Sequence, residues 1–370
     1  MNLSGIDESR LQLALALAEK SIGLSDPNPR VGCVLADREG VVRAEGWTQH
    51  AGGPHAEAHA LHLAEQAGAD LRGGTAWVTL EPCAHHGRTP PCCDALTRAG
   101  LSRVVVAIRD PFPQVAGEGL RRLAAAGLQV DLLPADHPLA TQAREINIGF
   151  LSHVERGRPW VRLKVAMSID GRTALPNGRS QWITGPAARH DTHAWRRRAS
   201  AVLTGIGTVL ADRPRLDVRL VETALQPLRV IVDSALRTPT DAPILAPPGK
   251  CLIATTSVDR ARADALRAAG AEVLVSGLPG QRVDLHELVK TLARRQVNEV
   301  HVEAGAVLNG AWMAAGLVDE LIVYLAPKVL GSGPAIAQFG PIEQLEQAVA
   351  WRLQEAVVVA GDLRLRFRQP

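Results

Sequence analysis

Three metal-binding side chains and one proton carrier stand in order in the first quarter of the chain: His55, Glu57, Cys83 and Cys92. One imidazole and two thiolates make three ligands for a tetrahedral Zn²⁺. Three protein ligands leave the fourth position open to water, which is the arrangement of a catalytic rather than a structural zinc. Glu57 lies two positions from His55, whereas side chains sharing a helix face lie three or four apart. It is a poor second ligand and is better placed to shuttle protons for a water beside it. Cys93 offers a fourth thiol, but adjacent cysteines rarely aim at one metal, and a closed site would leave Glu57 without a task. His85 and His86 are ligands by type and, so close to Cys83, read more simply as pocket-lining side chains. His59 and His62 read as ordinary helix histidines, and Cys33 and Cys251 as small buried hydrophobes.

These residues need elements to hold them. Ala, Leu and polar residues at helical spacing predict a helix from His55 to Ala67, with His55 and Glu57 in its first turn, where the helix favours an anion. A strand from Thr75 to Leu80 delivers Glu81-Pro82-Cys83, and a helix over 91–99 with proline near its start carries Cys92. Upstream, Asp7-Glu8-Ser9 read as the cap and first turn of a helix over 11–18, and strands over 31–35 and 41–47 form a hairpin. Asn28, between Pro27 and Pro29, serves equally as a turn residue and as an amide that reads a base edge. Strands over 103–108 and 128–132 alternate with helices over 119–126 and 138–147, so a helix-covered sheet closes a first domain at residues 1–150.

Residues 151–159 are short, polar and charged and read as a linker. A second α/β domain spans 160–370, its strands starting near Trp160, Ala201, Arg229, Leu252, Glu272, Glu299 and Glu320, with helices over 260–269, 285–295 and 308–315 between them. Two turns there expose backbone amides, Thr204-Gly205-Ile206-Gly207-Thr208 and Glu303-Ala304-Gly305-Ala306. Neither carries the full dinucleotide fingerprint. Arg196-Arg197-Arg198 reads as a solvated helix face.

A net charge of +3 is too small to announce a nucleic-acid or membrane surface, and 3% aromatic residues argue against a single-strand stacking platform. A small phosphate is the better match for the arginines. Five cysteines, three of them crowded together, suit metal or thiol chemistry in a reducing cytoplasm. The start of the chain lacks a basic leader, and its apolar segments fall short of the roughly 20 residues of a spanning helix.

The chain resembles, over its whole length, the bifunctional riboflavin-biosynthesis enzymes that fuse a diaminohydroxyphosphoribosylaminopyrimidine deaminase to a phosphoribosylaminouracil reductase. The first half carries PNPRVG from Pro27, PHAEAHAL from Pro54 and TLEPCAHHGRTPPCCDAL from Thr79. The second carries KVAMSIDGRTA, SQWITG, GIGTVLADRPRLDVR, VEAG and DELIVYLAPKVLG. The resemblance implies an N-terminal cytidine-deaminase-like three-layer α/β/α domain and a C-terminal dihydrofolate-reductase-like α/β domain. It implies that His55, Cys83 and Cys92 ligate zinc and that Glu57 moves protons. NADPH would meet Ala166, Trp182, Thr208, Asp212, Ser234 and the turn of Gly305, Ala306, Val307, Leu308, Asn309, Gly310 and Ala311. Ser180, Arg196, Leu216, Arg219 and Glu303 would meet the phosphorylated pyrimidine, with Asn28 a further candidate. Lys164 and Asp212 would border the reacting centre, and a homodimer through the reductase domain would follow. Phe112 and Ala304 stand where such enzymes more often carry asparagine and glycine. Two other classes compete, a nucleic-acid deaminase and a non-catalytic zinc module.

Overall fold

The computed structural model describes residues 3–84, 90–112 and 116–370. It divides into two units, Met1–Gly157 and Arg158–Pro370. The first unit runs α1 (Gly5–Glu19), β1 (Gly32–Ala36), β2 (Val42–Trp47), α2 (Ala56–Gln66), β3 (Thr75–Val78), α3 (Cys92–Arg98), β4 (Arg103–Val106), α4 (Glu118–Ala125), β5 (Gln129–Leu132), α5 (Pro138–Ile146) and α6 (Ile148–Arg156). Its strands form one sheet in the order β2-β1-β3-β4-β5. Pairing is antiparallel from β2 through β1 to β3 and parallel beyond.

Two glycines show how this sheet takes helices on both faces. Gly32 pairs with Trp47 and Cys33 with Gly46, so Gly32 and Gly46 face opposite sides. A Cβ on Gly32 would lie 1.8 Å from the Ala14 carbonyl oxygen of α1, and one on Gly46 would lie 2.2 Å from that of Ala56 in α2. Each helix therefore rests directly on backbone, giving three α/β/α layers around Val34, Leu35, Val104, Val105, Leu96 and Leu123. The close approach at Gly46 fixes the first turn of α2, where His55 and Glu57 emerge.

Two expectations need correction here. The first helix begins at Gly5, capped by Ser4, well before the Asp7-Glu8-Ser9 start. Asp7 instead closes the capping box and is buried, where Trp77 Nε1 donates to it at 2.8 Å and Arg103 at 2.7 Å. Burial alone would raise its carboxyl, but these donors hold it at about 2. The supposed linker over 151–159 is largely α6, which Gly157 ends in the left-handed region at φ 65. Leu151 and Ser152 are buried, so the charges of Glu155 and Arg156 mark the outer side of a helix.

The second unit runs β6 (Trp160–Ser168), α7 (Pro186–Arg198), β7 (Ala201–Gly205), α8 (Ile206–Asp212), β8 (Leu228–Val232), β9 (Cys251–Thr255), α9 (Arg260–Ala268), β10 (Ala271–Val275), α10 (Leu285–Arg294), β11 (Glu299–Val302), α11 (Ala306–Ala314), β12 (Glu320–Ala326), β13 (Arg352–Val359) and β14 (Asp362–Arg368). Its sheet order is β10-β9-β8-β7-β11-β6-β12-β14-β13. The strands from β10 to β12 are parallel, and the closing hairpin is antiparallel. The chain leaves β6 for β7, and β11 later fills the gap between them. That reversal is the switch point at which open α/β sheets bind ligands beyond their strand ends.

Of α7 the sequence signals only the arginine end as helix, and it signals neither α8 nor the β13–β14 hairpin. The glycine turn after β7 is the start of α8 rather than an open loop, with Gly205 as its cap. The three consecutive arginines of α7 are not a solvated face. Arg196 pairs with Glu303 and Arg198 with Glu299, both from the β11 strand and its end. Among the described residues no helix is long and apolar enough to cross a membrane.

Candidate active sites

His55 caps α2 in an extended conformation, Cys83 lies in the loop beyond β3, and Cys92 opens α3. His55 Nδ1 lies 3.6 Å from Cys83 Sγ and 3.5 Å from Cys92 Sγ. All three donor atoms fall within 4.8 Å of one another. A tetrahedral zinc with bonds of about 2.3 Å to sulfur and about 2.05 Å to nitrogen would set each N···S edge at about 3.6 Å. The donor set fits zinc in both chemistry and spacing. Cys92 N donates to Cys83 Sγ at 3.3 Å, and that thiol also takes a hydrogen bond from Cys92 Sγ, which draws it down to about 4. Cys93 turns its thiol toward Asp94 Oδ1 at 3.7 Å and lies outside the cluster. His85 and His86 lie outside the described residues.

Glu57 is 4% exposed, and burial followed by the charge on Cys83 pushes its carboxyl up to about 7. A carboxyl near neutrality both accepts and returns a proton. Cys33 is fully buried on the same side of the sheet, and burial with the Glu57 charge raises its thiol. It is a protonated core residue, as is Cys251. The amide of Asn28 has no side-chain partner among the described residues, while its backbone oxygen accepts from Ser25 Oγ at 3.2 Å.

A residue without an assigned task in the sequence holds this site in place. Glu81 is 4% exposed, and four backbone amides converge on its carboxylate. Asp110 N and Gly117 N reach Oε2 at 3.1 and 3.0 Å, and Gly119 N and Leu120 N reach Oε1 at 2.9 and 3.3 Å. Gly117 caps α4 with no side chain of its own, so Glu81 supplies the cap from a distant strand end. A Cβ on Gly119 would meet the Pro82 carbonyl oxygen at 2.0 Å, so α4 seats directly on the residue before Cys83. The signal available in the sequence was an acid directly before Pro82-Cys83; its partners were not.

In the second unit, a cleft at the switch point joins two cavities of about 730 and 500 Å³ that share Lys164, Ala166, Thr173, Ser180, Thr208, Asp212 and Glu303. The larger adds Gly205 to Gly207 and Ala304 to Leu308, and the smaller adds Trp182, Arg196, Leu216 and Arg219. Burial works against the charge of Glu303, but Arg196, which grips it with two nitrogens, and Lys164 hold its carboxyl well below the usual range. Lys164 is itself lowered by burial, with Glu303 opposing the shift. His301 lies 3.5 Å from Glu303, yet burial drives its imidazole down to about 3, so that contact is not an ion pair at neutral pH. His193 was not foreseen as part of this wall. Burial and the charges of Arg196 and Arg219 push it to about 4, so its neutral Nδ1 accepts from Arg219 N at 3.2 Å.

Most of the expected reductase residues meet in this cleft. Gly305, Ala306, Val307 and Leu308 line it, but Asn309, Gly310 and Ala311 do not. Past the first turn α11 faces inward: Asn309 Nδ2 donates to the Ile336 carbonyl at 2.8 Å, a Cβ on Gly310 would strike Gln338, and Ala311 packs on the core. Ser234 also falls outside the lining, its hydroxyl taken by Val283 N at 3.1 Å.

Known proteins combine the same two kinds of unit in one chain. The family model for the cytidine and deoxycytidylate deaminase zinc-binding region matches residues 4–108, and that for the RibD C-terminal domain matches residues 159–364. The riboflavin biosynthesis protein RibD of Escherichia coli K12 is 43% identical over 98% of this chain and 99% of its own length. The Aquifex aeolicus protein of the same name is 38% identical over 98% and 99%. Among solved structures, Acinetobacter baumannii RibD superposes with a TM-score of 0.87 at 40% identity, covering 99% of each chain. A Thermotoga maritima diaminohydroxyphosphoribosylaminopyrimidine deaminase and phosphoribosylaminouracil reductase does so with a TM-score of 0.87 at 30% identity, also over 99% of each. The chain belongs to the RibD family and is a bifunctional deaminase and reductase of riboflavin biosynthesis, with Zn²⁺ and NADPH as its cofactors.

Proposed function

We propose that the first unit deaminates a diaminopyrimidinone bearing a phosphoribosylamino group, and that the second reduces the ribosyl chain of the product to ribityl. The observation that carries this reading is the convergence of His55, Cys83 and Cys92 at zinc spacing beside the buried carboxyl of Glu57. His55 Nδ1 and the two thiolates hold the metal, which when bound supplies a water activated at neutral pH. Glu57 takes a proton at a carboxylate oxygen and returns it to the departing amine. Its burial excludes bulk water and keeps the proton in transit.

In the second unit, Gly305 to Leu308, Thr208 and Ala166 bind NADPH, which supplies hydride. Glu303, Arg196 and Lys164 form a fixed charged floor, with Ser180, Leu216 and Arg219 positioning the phosphorylated chain. Asn28 is assigned to the pyrimidine edge in the first unit.

The test separates the two activities on one protein. Incubation with the diaminopyrimidinone alone should release ammonia, and NADPH should be oxidised only once deaminated product is present. Glu57→Gln should keep its zinc while ammonia release falls roughly 10²- to 10⁴-fold. Normal deamination by that variant would remove Glu57 from the mechanism. RNA binding with steep salt dependence would favour the nucleic-acid deaminase instead.

The reading extends to a homodimer through the second unit in the cytoplasm. It is supported by the sheet-edge hairpin, where Leu353 and Val358 are 54% and 72% exposed, and by five free cysteines. Sedimentation of Leu353→Glu with Val358→Glu should show a monomer; an unchanged dimer would move the interface elsewhere.

A further inference from the structure

The two cysteine ligands come from separate segments, Cys83 from the loop beyond β3 and Cys92 from the first turn of α3. We infer that Arg122 on α4 is a positioning residue for zinc, tying the two segments together from outside the site, a role that rests on reading His55, Cys83 and Cys92 as the ligands.

Arg122 forms a bridge. Its Nη1 donates to the carbonyl of Ala84, the residue after Cys83, at 3.0 Å. Its Nη2 donates at 2.7 Å to Oδ2 of Asp94, which follows Cys92 and Cys93 on α3. The other oxygen of Asp94 accepts from the Cys93 thiol at 3.7 Å, so this carboxylate is held from two sides. Backbone contacts join the same segments, Cys93 N donating to the Cys83 carbonyl at 3.2 Å and Cys92 N to Cys83 Sγ at 3.3 Å. A rigid guanidinium suits such a span, because fixing one of its nitrogens orients the other.

The helix that carries Arg122 is itself seated on the Cys83 segment. Gly119 approaches the Pro82 carbonyl, and Glu81 receives the amides of Gly117, Gly119 and Leu120. Arg122 extends that seat past Cys83 to Ala84 and across to α3. One helix thereby holds the chain on both sides of a ligand.

General stability is a poor reason for the pair. The side chains of Arg122 and Asp94 are 44% and 24% exposed, and ion pairs open to water contribute little. A metal is less tolerant, since its ligand distances hold to within about 0.2 Å. A small spread of the two cysteine segments would reach the zinc before it reached the core.

Charge and position predict opposite signs. Removing Arg122 takes a cation from the surroundings of Zn²⁺ and leaves Asp94 without its partner, so Coulomb attraction alone would tighten zinc binding. Loss of the bridge weakens it.

The test is chelator competition for zinc on the full-length protein, with melting in excess chelator measured alongside. Arg122→Met keeps the aliphatic stem and should weaken zinc about tenfold, while melting in chelator stays within a degree or two of the parent. Arg122→Lys keeps the charge but not the fork and should also weaken zinc. Arg121→Met removes the same charge one position earlier, where Arg121 pairs with Glu118 of its own helix, and should leave zinc unchanged. Unchanged or tighter zinc binding by Arg122→Met would overturn the assignment. So would a melting point in chelator several degrees lower, which would make Arg122 a general brace. Cys83→Ser is the reference: if it held zinc as tightly as the parent, the ligand reading would fail and the role of Arg122 with it.

Discussion

Replacing Glu81 by glutamine is the sharpest test of how the deaminase site is held. The carboxylate accepts from four backbone amides, two on each oxygen, at 2.9 to 3.3 Å. Glutamine keeps one acceptor oxygen and turns an NH₂ group toward the other two donors, so two buried N–H groups lose their partner. A hydrogen bond to a charged acceptor is worth about 1.5–3 kcal/mol, and a charge at a helix N-terminus about 0.3–1 kcal/mol. Two of the four contacts are long and the terms overlap, so the cost should be on the order of 3 kcal/mol. For a unit of this size that corresponds to a melting point lower by about 10 °C. The functional effect follows from position, since Pro82 rests on Gly119 and Cys83 comes next. Loosening that seat should weaken zinc about 10- to 100-fold, the usual cost of disturbing a residue that orients a ligand. Chelator competition, thermal melting and ammonia release would be measured together, with NADPH oxidation on deaminated substrate as the internal control. If Glu81→Gln melted within a degree or two of the parent and held zinc as tightly, the clamp would have no part in placing Cys83.

Two further perturbations probe the second unit. Arg219→Ala should raise the apparent substrate KM about tenfold with little change in kcat, because Arg219 lines the cleft with half of its side chain exposed and contributes binding rather than chemistry; an unchanged KM would remove it from the site. For Glu320, burial alone would raise the carboxyl, but Arg162, Arg366 and Arg368 outweigh burial and hold it at about 2, against 4.5 for the free side chain. The folded-state pKa is depressed, so the unfolded chain binds more protons in that range. The contribution, on the order of 3 kcal/mol, is complete above pH 4.5 and lost as pH falls toward 2. Melting followed from pH 6 to pH 3 should therefore fall more steeply for the parent than for Glu320→Gln, and matching slopes would refute the assignment.

What the sequence made legible was chemistry carried by rare residue types in a fixed order. His55, Glu57, Cys83 and Cys92 could be given roles because few other tasks need those donors at the start of a helix, the end of a strand and the start of a helix. The helices and strands with local apolar periods were legible for the same reason. Glu81 was not, because its donors are backbone amides that any sequence possesses and that lie 36 and 38 residues away at Gly117 and Gly119. The arginines of α7 were misread for a related reason. A run of three cations signals solvent unless its partners are known, and Glu303 and Glu299 arrive 107 and 101 residues later.

The same non-local logic explains why those charges are buried at all. An ion pair sealed in a core is seldom a better stabiliser than apolar packing, so its retention calls for another cause. Arg196 is 9% exposed and holds Glu303 with two nitrogens while a third reaches the Asp217 carbonyl at 3.1 Å. That grip ties α7, the end of β11 and the loop carrying Arg219 to one point on the cleft floor. A flexible acid there would reorganise with each ligand; one clamped by Arg196 and flanked by Lys164 presents a fixed charge before substrate arrives, and that preorganisation is what an enzyme gains by keeping an ion pair in its core.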